Sequence, residues 1–224
     1  YDAWNSGMVL APAGVGNLFS LLLAGWLVNR VDSRWLLAFG ASVNAVALYA
    51  MSQATLEVDY WGLAWPRLLH GFGLPFVFIP LTMLAFATVP RAMLGNATAV
   101  YNVIRNIGGS VGVAVIATLL ARRSQTHQAT LVSHVNVWDP ETVFHLQQWT
   151  DHFLRQGVDA FTARDRALAM LYRATVEQAR VLAFMDDFLI MALLFALMLV
   201  LIPFMRRVSV ESAGEVPSRG PALE

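Results

Sequence analysis

The sequence contains no cysteine and no lysine, and charged residues make up only 13% of its 224 positions. Without cysteine there is no disulfide framework, no thiolate metal site and no thiol chemistry. Without lysine there is no phosphate-cradling Gly-x-x-x-x-Gly-Lys loop, so an ATP-driven step would need another chain. Gly-x-Ser-x-Gly and His-Glu-x-x-His are missing as well. Neither enzyme chemistry nor a cofactor is therefore expected. His127 and His134, like His145 and His152, stand seven apart. Metal ligation usually wants closer spacing with more acids or thiols, so no metal site is expected either. The 15 basic residues, all arginine, balance 15 acids, which gives no electrostatic footprint for nucleic acid.

What the chain does have is apolar bulk: 57% hydrophobic residues and a mean hydropathy of +0.56. Such a composition does not describe a water-exposed surface, and the bilayer is the expected surrounding. Met8–Val28 runs 21 positions and Trp35–Leu56 22 positions without an ionisable residue. At 1.5 Å per helical residue, either run crosses a hydrocarbon core about 30 Å thick. The charged stretch between them, Gly25 to Arg34, reads as a membrane-surface loop. The pattern predicts an all-α integral membrane protein with four spans in residues 1–121, at about 8–28, 35–53, 66–89 and 97–121. An extramembrane helical insertion follows over 122–180, then a fifth span in 181–207 and a disordered tail over 208–224. Pro75 and Pro80 predict a kink in the third span. Within the insertion, Asp139-Pro140-Glu141 reads as a helix start and Gly157 as its stop. Thr162 with Asp165 resembles a capping box, and Leu168, Leu171, Tyr172, Val176 and Ala179 form one apolar stripe.

Polar groups inside apolar runs are the functional candidates. Arg105 lies roughly 14 Å along the fourth helix beyond Gly95, too deep to reach the surface easily, and a charge there normally faces a partner or a wet cavity. Asn102 and Asn106 flank it. Arg67 sits near the start of the third span, and Asp186 and Asp187 about a turn inside the fifth. Asp186 is a candidate to titrate with substrate or to pair with Arg67. Gly108, Gly109, Ser110 and Gly112 form a small-residue face that permits tight helix contact. Arg30, Arg34 and Arg91, with Arg206-Arg207 on the same side, mark one face as cytoplasmic, because the Leu56–Tyr60 connection carries acids only. That places the insertion outside and the C-terminus inside.

Gly25, Leu27, Arg30, Asp32 and Arg34 resemble the second copy of the cytoplasmic loop signature of the major facilitator superfamily, Gly-x-Leu-x-Asp-Arg-x-Gly/Asp-x-Arg/Lys. Asn29 stands where that family usually has Asp. More specifically, the chain resembles the fourteen-span drug:proton antiporters of the EmrB/QacA type over nearly its whole length. The resemblance rests on Pro66-Arg67-Leu68-Leu69 with Gly71 and Gly73, and on Asn102-x-x-Arg105-Asn106-x-Gly108-Gly109-Ser110-x-Gly112. Arg122-Arg123-x-Gln125-x-His127-Gln128 and Ala183-Phe184-Met185-Asp186-Asp187-Phe188 complete it. The resemblance implies the C-terminal six-helix half of such a transporter without its opening helix, in the inner membrane. It implies export of small amphipathic toxic compounds in exchange for protons by alternating access, together with an N-terminal half of the same protein. By analogy a periplasmic adaptor and an outer-membrane channel are further partners, and the loop motif is a conformational element. Tyr1 is not an initiator methionine, and the chain is expected to be part of a longer protein. The alternative reading is a non-transporting membrane scaffold or sensor built from a transporter half.

Overall fold

A computed structural model describes residues 3–54, 59–135 and 138–204. Six α-helices follow one another among them: α1 Ala3–Leu27, α2 Ser33–Ser52, α3 Tyr60–Phe86, α4 Leu94–His134, α5 Pro140–Arg155 and α6 Ala160–Leu201. No strand occurs among the described residues. All but α5 contain stretches long and apolar enough to cross a membrane. The expected tail over 208–224, Arg206-Arg207 and Glu57 lie outside the described residues.

The helices differ from the sequence pattern mainly where the composition changes. Neither end of the expected insertion is a helix boundary: α4 continues past Ala121 to His134, and α6 already begins at Ala160. The Arg, Gln, Ala, Thr and Leu of these stretches are compatible with a helix, so the backbone ladder continues while the polarity of the surface changes. Only α5 lies wholly within residues 122–180. Its start is as expected: the Asp139 carboxylate accepts from the Thr142 backbone N–H at 3.0 Å and from the Thr142 hydroxyl at 2.7 Å. Gly157, with φ of +86°, lies just past its end, a backbone conformation that suits glycine. The cap of α6 is a correction. Asp159 accepts from the Thr162 N–H at 3.0 Å, which places the helix start three residues before the expected Thr162–Asp165 box. Both caps hold their carboxyls below the ordinary aspartate value, through the threonine hydroxyl first and its backbone N–H second.

One compact unit comprises residues 1–47, 64–99 and 192–224. Its interior is set by glycines where backbones touch. A Cβ at Gly71 would run into the backbone of Ala13, and one at Gly16 into the backbone of Leu68 and Phe72, so α1 and α3 meet closely there. On the other side of α3, a Cβ at Gly40 of α2 would lie 2.8 Å from Phe76. The Ser20 hydroxyl donates to the Phe72 carbonyl across the same α1–α3 contact. Ala24, Val28, Leu36 and Phe76 form a buried cluster, and Leu37, Val77 and Ile202 form a second one against Phe195, Met198 and Leu199. Phe39 meets Phe76 edge to face at 5.1 Å between ring centroids. Pro66, Pro75 and Pro80 are all buried in α3, whose helical assignment runs unbroken through them.

The other unit comprises residues 48–63 and 100–191. On α6, Ala163, Ala167, Ala179 and Ala183 are all fully buried, four or a multiple of four apart. Leu171 and Thr175 fill the row between them and Asp187 extends it. A row of alanines at i, i+4 lets a neighbouring helix come close. Of the expected stripe, Ala179 is buried and Leu171 and Val176 are half-buried, whereas Leu168 and Tyr172 are 45% and 60% exposed. Across from α6, Gln128 of α4 donates to the Tyr172 hydroxyl at 3.4 Å. Arg166 lies over the Phe153 ring of α5 at 6.0 Å.

Candidate functional site

Three polar features interrupt the apolar helices. The first lies on one face of α4, where Arg105, Asn106, Gly109, Ser110, Val113 and Ala114 line a shallow groove. These positions are spaced i, i+1, i+4, i+5, i+8 and i+9, so one side of one helix supplies all of them. Glycine and serine in the middle leave the notch, and the arginine with its neighbouring amide sits at one end. Asn102, a turn earlier, shares that face, and Asn102, Arg105 and Asn106 are all exposed.

The small-residue face behaves differently from its expected packing role within this chain. A Cβ at Gly108, Gly109 or Gly112 would meet nothing within 4 Å. The close contacts fall instead on Gly16, Gly40, Gly71 and Gly73. Spacing alone marks both sets as equally suited to contact; only three-dimensional neighbours tell them apart.

The second feature joins α4 and α6. His127 Nε2 lies 2.8 Å from Asp186 Oδ2, and Arg123 donates to the same oxygen at 3.3 Å. Arg123 and His127 stand one turn apart on α4 and so reach one carboxylate together. The side chains are partly exposed, at 51% for Arg123, 27% for His127 and 30% for Asp186, so these contacts stabilise modestly and serve mainly to orient the carboxylate. Asp187 is 2% exposed, and both its carboxylate oxygens are buried without a hydrogen bond.

The third feature was not legible in the sequence. Ala13, Gly14, Asn17 and Leu18 of α1 and His70, Gly71 and Leu74 of α3 surround an apolar-walled pocket with Asn17 and His70 as its polar members. His70 Nδ1 and the Nε of Arg67, one turn earlier on α3, are buried without a hydrogen-bond partner. The pocket exists because Gly71 brings α1 against α3, and no periodicity in the sequence announces that approach.

The loop motif ends one helix and starts the next. Gly25 and Leu27 lie in the last turn of α1. Arg30 stacks on Trp26 with its guanidinium carbon 4.1 Å from the ring centroid. Asp32 caps α2, its carboxylate accepting from the Arg34 N–H at 3.1 Å and its carbonyl from the Trp35 N–H at 2.9 Å.

Over residues 1–123 the chain matches the sequence profile of the Major Facilitator Superfamily. The chain belongs to that superfamily. With its apolar helices, membership makes it a multi-pass membrane protein of a transporter family. Among its relatives, the probable multidrug resistance protein EmrY of Escherichia coli is 31% identical over 62% of this chain and 28% of its own length. The multidrug export protein EmrB of E. coli is 30% identical over 62% of this chain and 28% of its own length. The fatty acid resistance protein FarB of Neisseria gonorrhoeae is 27% identical over 90% of this chain and 38% of its own length. The chain thus spans well under half the length of these relatives.

Proposed function

We infer that this major facilitator chain forms part of a secondary exporter that moves drugs or other amphipathic toxic compounds out of the cell in exchange for protons. Its N-terminal half supplies the other wall of a central cavity, and alternating access carries the substrate across. The observation that carries this reading is α4. None of its most apolar window is buried within the chain. Yet the exposed surface presents Arg105, Asn106 and a glycine-serine notch rather than uniform hydrocarbon. A charged, notched face on a membrane helix suits a wet cavity closed by a facing half far better than it suits lipid. The relatives' names, which speak of multidrug and fatty acid resistance, support amphipathic substrates with apolar bodies.

The protein sits in the inner membrane, with Arg30, Arg34 and Arg91 at the cytoplasmic face. The ends of α4 and α6 together with α5 project outward, where they are positioned to meet a periplasmic adaptor serving an outer-membrane channel.

The reading is tested with the full-length transporter by following ethidium extrusion from energised cells. Extrusion that collapses on adding a protonophore supports it. Extrusion that persists without a proton gradient, or no extrusion by abundant protein, overturns it.

A further inference from the structure

We propose that the pocket between α1 and α3 is a binding site for an amphipathic carboxylate, its head held by Arg67 and His70 and its apolar body lying along α1. The site stands on its own geometry and rests on the export reading only for treating the bound acid as cargo. The pocket measures about 430 Å3, within the range of small-molecule sites. Ala13, Gly14 and Leu18 of α1 and Leu74 of α3 supply apolar wall, and Asn17 and His70 are its polar members. Gly71 brings α3 against the Ala13 backbone beside it, while a Cβ at Gly14 would meet nothing within 4 Å, so open space adjoins that glycine.

The donors dictate the chemistry of the occupant. Arg67, His70, Gly71 and Leu74 stand at i, i+3, i+4 and i+7, on one stripe of α3. Arg67 Nε and His70 Nδ1 are buried without a hydrogen-bond partner, and no ion pair to Arg67 occurs among the described residues. A guanidinium keeps its charge and can only donate, and a buried donor left unmade is costly. An ionised carboxylate only accepts, carries the opposite charge and matches the guanidinium fork; an alcohol leaves the charge unbalanced, and an ammonium is repelled. The Asn17 amide and the imidazole, each able to donate, suit the remaining lone pairs. Depth separates a free acid from a phospholipid. Gly71 stands eleven positions after Tyr60, the start of α3, and so roughly 16 Å into a hydrocarbon core about 30 Å thick. A phospholipid headgroup stays at the membrane surface, whereas a single-chain acid leaves its leaflet readily and reaches that depth.

The experiment measures equilibrium binding of radiolabelled decanoate to the full-length transporter in phosphatidylcholine nanodiscs, above the uptake by empty nanodiscs. The expected result is saturable binding that neither decanol nor decyltrimethylammonium displaces, weakened about tenfold or more in Arg67→Gln and in Gly14→Leu. Gly14→Leu fills the open space without touching a charge, so it tests the pocket apart from the arginine. Should Arg67→Gln fail to reach the membrane, Gly14→Leu and the comparison of the three probes decide. No saturable binding, equal displacement by the alcohol or the ammonium, or wild-type affinity in either variant overturns the proposal. Displacement of decanoate when phosphatidylglycerol replaces part of the phosphatidylcholine assigns the donors to a lipid phosphate and overturns it as well. Ethidium extrusion that fails while decanoate binds refutes the export reading alone, and extrusion that persists without decanoate binding refutes the site alone.

Discussion

Arg105 and Ser20 show how differently two polar side chains serve an apolar helix. The Ser20 hydroxyl crosses from α1 to the Phe72 carbonyl of α3 and so fixes the register of two helices. That carbonyl also belongs to the α3 ladder, so Ser20→Ala leaves no orphaned acceptor. The expected loss is about 0.5–1 kcal/mol, read as a lower midpoint in denaturant unfolding of the reconstituted protein. Arg105 instead is an exposed side chain at one end of the α4 groove. Arg105→Ala should leave membrane abundance normal and lower drug resistance about tenfold or more, by the minimum inhibitory concentration of ethidium. Unchanged resistance would remove Arg105 from the cavity. Glycines divide the same way. Gly71→Ala forces a methyl group into the Ala13 backbone and should destabilise by roughly 1–3 kcal/mol. A Cβ at Gly108 would meet nothing within 4 Å, so Gly108→Ala should stabilise α4 by about 0.5–1 kcal/mol, whereas a loss of transport there would show that the other half packs against that face.

At the scale of elements, the starts of α5 and α6 are governed by their caps. Asp139 and Asp159 have lowered pKa values because threonine donors stabilise their charged forms. A carboxyl depressed in the folded state contributes stability that is present above its unfolded value and lost as pH falls through the folded one. Protection of the Thr142 amide, its exchange rate relative to the intrinsic rate at the same pH, should therefore fall below about pH 4. Asp139→Asn keeps an acceptor and should abolish that pH dependence, while Asp139→Ala should raise exchange at neutral pH as well. Exchange at Thr142 that ignores both substitutions would refute the capping role. The alanine row of α6 makes a different demand. Apolar periodicity selects Leu168 and Tyr172 because they are large, yet the structure leaves them exposed and buries Ala163, Ala167, Ala179 and Ala183. Size misleads where close approach of two helices, rather than filled volume, sets the contact.

For the whole molecule, orientation is the first property to check. The absence of cysteine lets a single introduced thiol report its side of the membrane. Asn29→Cys, exposed in the α1–α2 loop, should stay unlabelled by an impermeant maleimide in sealed cells and react after permeabilisation. Labelling from outside would invert the topology.

Residue order by itself determined that the chain is helical and needs lipid, because uncharged runs of 21 and 22 positions leave no other stable state for the backbone in hydrocarbon. It also located Arg105, Asp186 and the loop motif, since a charge or a glycine in an apolar run is conspicuous in one dimension. Only the tertiary structure decided which groups meet. It gave Asp186 to Arg123 and His127, made Gly16, Gly40, Gly71 and Gly73 the tight glycines, opened the pocket at His70 and buried the Asp187 oxygens without a hydrogen bond. Periodicity assigns a residue to a face of its own helix. Which other helix covers that face depends on how several backbones come together, and no single run of sequence contains that information.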